Sequence, residues 1–371
     1  IRDQLNCLTK FNLSSISVGA DSQLNTNLLS TGNQNVVSQL LTSFSQQFNQ
    51  INQQNIDKAV SSGIPLSIIS ISSLTTQSQP TNSSFNQSAL IEFEKELNSQ
   101  SSTREYLISF TQNLQITTSN SIKLQSSSLV QLTKSTNQLT RNTISIAADR
   151  CFRLTLALQS ISMRISQEDA EVCSTQLFQC ASNILSSVNG PLQQRTTILD
   201  LDSQRAKEFP QDYETDLESE WMKINLLNEN KKNIYQQKEL ANQIQNQVKE
   251  MISRLNSILN IHLNIGQKSI INTSEVFMSL QSETIKSLSN QTFANGAIQF
   301  FPMEINQTEK SIRIQSKVEP LASFGNLANT NVSRSISFSL FDLNGTEISL
   351  DYPIEIFIPR DPNRILPPMI L

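Results

Sequence analysis

A change of hydrophobic period near residue 266 limits what this chain can fold into more than any other feature. Before that point apolar residues recur at helical spacing, and after it they alternate with polar ones. An amphipathic helix buries a stripe with a period of 3.6 residues, whereas a half-buried strand buries every second residue. Helices followed by strands, without βαβ alternation, predict an α+β chain. Its parts are a helical region over 34–266 and an antiparallel β-sandwich-like region over 267–371. Residues 1–33 show no sustained period and read as an extended lead-in.

Within the helical part, Val37, Leu40, Leu41, Phe44, Phe48 and Ile51 predict a helix over about 34–60, stopped by Gly63 and Pro65. Ile68, Ile69 and Ile71 read as extended, and 75–87, with Pro80, as a polar loop. Two short helices are expected next, one around Leu90–Leu97 and one around Tyr106–Leu114. Helical spacing resumes over 124–164, with a break near Arg141-Asn142. Ser166 with Asp169 forms a capping-box-like start for a helix that Gly190 and Pro191 end. An acidic connection (200–220) leads into the longest helix, about 212–263, whose stripe includes Ile224, Leu227, Ile244, Val248, Met251, Leu255 and Leu259. Gly266 closes it.

Beyond Gly266, strands are expected at 275–280, 297–303, around Ile312–Val318 and around Ile336–Leu340. Asn344-Gly345 is a strong type I′ hairpin signal, with a return strand through Ile354, Ile356 and Ile358.

Composition narrows the function classes. Only 16% of residues are charged and the net charge is -4, so the chain lacks the high charge of a disordered segment. With 28 basic against 32 acidic residues it also lacks the basic excess a nucleic-acid binder needs. No apolar run reaches the roughly 20 residues that cross a bilayer. The single histidine, His262, ends the long helix, where a cation suits the helix dipole. No catalytic triad, phosphate loop or HExxH occurs, so no catalytic, cofactor or metal site is assigned.

Four cysteines occur: Cys7, Cys151, Cys173 and Cys180. Cys173 and Cys180 lie on one helix, about 10 Å apart along its axis, too far to pair. Cys151 and Cys180 are nearly symmetric about the turn at Ile165, level with each other in an antiparallel helix pair. The expected bridge is Cys151–Cys180, leaving Cys7 near Cys173, and the alternative is four buried free thiols. Asn-x-Ser/Thr sequons stand at Asn12, Asn82, Asn86, Asn272, Asn290, Asn306, Asn331 and Asn344. A chain this rich in Asn, Ser and Thr gives about that many by chance, so the count says nothing about secretion. Asn82 and Asn86, in the polar loop, are the preferred acceptors if the chain is secreted.

Residues 332–363 carry a distinctive phrase. It runs Ser335-Ile336-Ser337-Phe338-Ser339-Leu340, then Leu343-Asn344-Gly345-Thr346-Glu347-Ile348, then Pro353-Ile354-Glu355-Ile356-Phe357-Ile358-Pro359-Arg360-Asp361-Pro362. This resembles the strand–turn–strand of receptor-type polycystins, in the GAIN-like region that follows their egg-jelly-receptor (REJ) module. The resemblance is most specific over 240–363 and only general over 35–240, and the Asn/Gln/Ile-rich style is similar to ciliate members. It implies a GAIN-like fold, incomplete at the C-terminal end, in a large surface glycoprotein whose membrane anchor lies outside this segment. It further implies a place on the extracellular face of the plasma or ciliary membrane, or in the extracellular matrix. The implied work is adhesion, matrix or mechanical sensing, or extracellular assembly. The implied partners are other surface proteins, copies of itself or a polycystin-type channel. It also favours the disulfide over free thiols. The family's His-Leu-Thr/Ser proteolysis step has no counterpart here, because His262-Leu263 is followed by Asn264 and precedes the strands. A filament or coat subunit is the nearest alternative, and an intracellular scaffold with a coiled-coil helix is the other.

Overall fold

The computed structural model describes residues 34–64, 69, 87–192, 217–273, 276–289, 291–293, 298–300, 311–320, 334–342, 347–348 and 354–356, and among these described residues six long α-helices precede two antiparallel sheets. The expected lead-in (1–33), most of the 75–87 loop with Asn82 and Asn86, the acidic connection up to residue 216, and Cys7 lie outside these residues.

Helix α1 (Gln34–Ser61) ends as its sequence dictates. Gly63 takes φ 84° and donates to the Val60 carbonyl, while Ile64 reaches back to that of Ala59. These are the two hydrogen bonds of a Schellman cap, and Ile64 and Ala59 are buried in one cluster with Phe93 and Leu97. Ile69 is also buried there and is helical, which corrects the extended reading at that position; the rest of its stretch lies outside the described residues.

Helix α2 is a single helix (Gln87–Thr111) where two were expected. The polar run Ser99-Gln100-Ser101-Ser102-Thr103 looks like a break, yet Gln100 is buried within it. Helix α3 (Ser119–Thr133) and helix α4 (Arg141–Ile161) are separated by a 3₁₀ turn at Thr136–Gln138, close to the expected break. Ser166 accepts the Asp169 N–H at 3.1 Å and starts helix α5 (Gln167–Asn189). Gly190 ends α5 with φ -114°, not in the left-handed cap its sequence suggests. Close approach explains the glycine, since a Cβ there would lie 2.7 Å from the Ser186 carbonyl oxygen.

Helix α5 is the centre of the bundle, packed by α3, α4 and helix α6 (Leu217–His262). Its small residues Ser174, Ala181, Ser182 and Ser187 are buried. Several buried hydroxyls in this Ser/Thr-rich bundle return to their own helices, as Ser38 does to Gln34 O, Thr133 to Leu129 O and Thr155 to Cys151 O, while Ser187 crosses to Thr136 O.

The first sheet has the order β1-β2-β5-β6. Its strands are β1 (Lys268–Asn272), β2 (Phe277–Thr284), β5 (Ser311–Pro320) and β6 (Arg334–Phe341). The second has the order β3-β4-β7, from β3 (Thr292–Phe293), β4 (Ile298–Phe300) and β7 (Ile354–Ile356). The first sheet uses its two faces at different ends. Ile271, Met278 and Leu280 enter the helical core, while Ile312, Ile314, Val318 and Leu340 meet the second sheet. Phe293, Phe300 and Phe338 close that second core with ring centroids 5.5–5.7 Å apart. One hydrophobic core therefore runs across residue 266, although the element type changes there.

The return strand is the main topological correction. Glu347 bridges Phe341, and Ile348 donates to Leu340 O at 2.7 Å, so the chain does reverse beyond β6. Residues Ile354–Ile356 instead pair with β4 in the other sheet.

At the junction, Gly266 (φ 81°) donates to Ser282 O at 2.7 Å and fixes the turn from α6 into β1. Gly266→Ala is expected to lower the unfolding free energy by about 1–2 kcal/mol, read as a lower urea midpoint. Nothing lies within 4 Å of the added Cβ, so the whole cost is backbone conformation.

Candidate functional site

The densest polar constellation lies where α1, α2 and the α3–α4 break meet. Arg104 of α2 is 1% exposed and faces no carboxylate among its hydrogen-bond partners. Its Nε donates to Gln138 Oε1 (2.9 Å), Nη1 to the carbonyls of Gln131 (3.2 Å) and Leu132 (2.6 Å), and Nη2 to Asn49 Oδ1 (3.0 Å). The two carbonyls belong to the last turn of α3, the negative end of its dipole, so helix geometry supplies the counter-charge. Burial pushes this guanidinium down to about 10, so it stays cationic at neutral pH.

The next residue completes the arrangement. Glu105 accepts from Thr140 Oγ1 (2.9 Å), Asn142 Nδ2 (2.6 Å) and Thr143 Oγ1 (3.2 Å), and so lies over the positive N-terminus of α4. Adjacent opposite charges on α2 thus hold the two helix ends that flank the break. Around them, Asn49 donates to Gln131 O, Ser135 to Asn49 Oδ1, and Gln138 to Asn52 Oδ1.

Two other arginines also donate to amides and backbone carbonyls. Arg150 reaches Leu114 O and Gln125 Oε1, and Arg141 reaches Asn233, Gln236 and Gln237 of α6. Burial lowers the Arg150 guanidinium to about 10, with Arg153 adding to the effect and Asp149 opposing it.

A cleft of about 730 Å³ opens beside the network, lined in part by Gln46, Asn49, Asn52, Gln131, Ser135 and Asn137. Lys134 is the single charged residue of its described lining. Such a wall offers amide donors and acceptors to a polar partner but no acid–base pair.

Cys151 of α4 and Cys180 of α5 are joined in a disulfide, with Cα atoms 7.2 Å apart, just beyond the usual 4.4–6.8 Å. Both are fully buried. Cys173 is buried and unbridged among the described residues. Desolvation first, then Asp169, raises its thiol to about 11, against the opposing pull of Lys123, so it is no nucleophile at neutral pH. His262 lies in the last turn of α6, and its Nε2 is 2.8 Å from Ser162 O. Since a carbonyl only accepts, the ring donates and ties α6 to the turn after α4. Among the described residues no cluster of His, Cys, Asp and Glu could hold a metal ion, and no helix is long and apolar enough to cross a membrane.

The Arg104–Glu105 network was missed from sequence, and the polar run Ser99–Thr103 beside a helical pattern was its one visible signal. These features define a class: a helical bundle braced by buried arginines and a disulfide, merged with a two-sheet antiparallel region. No protein-family model matches this chain, and no curated protein matches its sequence.

Proposed function

We propose that this chain is a non-catalytic extracellular segment of a REJ/GAIN-type, polycystin-like surface protein, acting in adhesion, matrix or mechanical sensing, or extracellular assembly. The observation that carries the reading is the bridge between Cys151 and Cys180 inside a helical core that continues into the antiparallel sheets. A disulfide belongs to an oxidising compartment, and a continuous core can pass load from helices to strands. The helical bundle followed by two sheets also suits a GAIN-like layout. Partners on this reading are other surface proteins, copies of this chain or a polycystin-type channel.

The coiled-coil scaffold is disfavoured by packing. The stripe of α6 from Ala241 through Ile244, Val248, Met251 and Leu255 to Leu259 is buried, and α6 packs on α4 and α5 of the same chain. That seam is therefore already covered.

Peptide mass spectrometry of the native protein, with and without reduction, tests the proposal. A Cys151–Cys180 linkage together with N-glycans at Asn82 or Asn86 is the expected result. Four free thiols and unmodified sequons would overturn the extracellular reading and favour the intracellular one.

A further inference from the structure

We propose that Asn272 is an N-glycan attachment site and that its glycan shields the open edge of the first sheet. The inference rests on the extracellular reading above. It starts from the sequon Asn272-Thr273-Ser274, which alone would be weak in so Asn-rich a chain. Three structural observations strengthen it.

Asn272 is exposed at the last position of β1, opposite Phe277 in the ladder. The chain turns immediately after it, with the Thr273 N–H 2.9 Å from Val276 O and the Val276 N–H 2.9 Å from the Thr273 hydroxyl. An acceptor at the tip of a hairpin projects from the fold, where a bulky polar group meets no packing.

Next, β1 is an edge strand. Among the described residues it pairs with β2 alone. An open edge presents unpaired backbone groups to any passing strand, and native proteins protect such edges. This five-residue strand holds one charge, Lys268, and neither proline nor a bulge interrupts its register.

Finally, Lys268, Ile270 and Asn272 share the outward face of β1, and Ile270 is 53% exposed on it. Side chains two apart on a strand lie about 7 Å from each other, within reach of the first sugars of a chain on Asn272. Those sugars would cover Ile270 and obstruct approach to the edge. Without them, β1 can pair with a second copy antiparallel about Ile270, setting Lys268 opposite Asn272 and bringing no like charges together.

Glycopeptide mapping of the native protein tests the assignment, using enzymatic deglycosylation in heavy-oxygen water to mark each occupied asparagine. Asn272→Gln and Ser274→Ala are then compared with the wild type by size-exclusion chromatography, the second variant keeping the asparagine in place. Occupied Asn272, loss of one glycan in each variant and a shift of both to dimeric elution are expected. Glycans at Asn82 or Asn86 with Asn272 bare would overturn this inference and leave the extracellular reading standing. Absence of glycans at every sequon, with four free thiols, would overturn both. Occupied Asn272 with both variants strictly monomeric would overturn the shielding role.

Discussion

Arg104→Ala is expected to destabilise the protein by about 3–5 kcal/mol, seen as a large drop in the urea midpoint. The substitution removes four hydrogen bonds at once and takes the donor from Leu132 O and Gln138 Oε1, while Gln131 O keeps Asn49 and Asn49 Oδ1 keeps Ser135. It also empties the volume of one of the largest fully buried side chains among the described residues. Two further variants separate these effects. Arg104→Met refills most of the space without donors, so it should recover the cavity part alone. Arg104→Lys keeps the charge at the end of α3 but not the planar fork, and should fall between wild type and alanine. If methionine were as stable as arginine, the network would be filling space and the hydrogen bonds would contribute nothing net.

The same site fixes a pH dependence. The folded guanidinium lies at about 10, lowered by burial from its ordinary, higher value. A base with a depressed folded value is penalised while charged, and that penalty lifts only as pH rises through the folded value. The Arg104 contribution is therefore expected to be flat between about pH 6 and 9, so the difference between wild type and Arg104→Met should not change across that range.

The regular elements were legible because each rests on a local rule. Gly63 needs a left-handed backbone, Ser166 meets the Asp169 amide three residues on, and Ile312, Ile314 and Val318 keep one parity along β5. What stayed hidden depends on distant partners. Ser99–Thr103 reads as a break because polarity is taken for exposure, whereas Ser101 donates to Gln138 O and Gln100 is buried against the same turn. In a chain with so many amides, a buried Gln is indistinguishable in sequence from a solvated one. The pairing of Ile354–Ile356 was hidden for another reason. A turn signal at Asn344-Gly345 says that the chain reverses, but not which sheet receives the strand after the next bend. The disulfide candidate was visible, since two helices about a short turn bring symmetric positions level. The paired helix-end contacts of Arg104 and Glu105 were not, because no periodicity encodes them.

Replacing both bridge cysteines, Cys151→Ala with Cys180→Ala, is expected to cost about 3.6 kcal/mol from chain entropy alone at 25 °C, for a sequence separation of 29 residues. The bond acts chiefly on the unfolded chain, which regains the freedom of the loop spanning the end of α4 and the start of α5. Small cavities at two fully buried sites add to the loss. Cys173→Ala supplies the control, for it removes a similarly buried sulfur that closes no loop, and about 1 kcal/mol is expected. The contrast between the two variants, measured by urea denaturation without reductant, isolates the covalent link. Equal costs per cysteine removed would mean that no bridge forms and would remove the main support for an extracellular origin. A large excess for the double variant would also explain the bond's position. It joins α4, whose N-terminus Glu105 faces, to the central helix on which α3, α4 and α6 all pack.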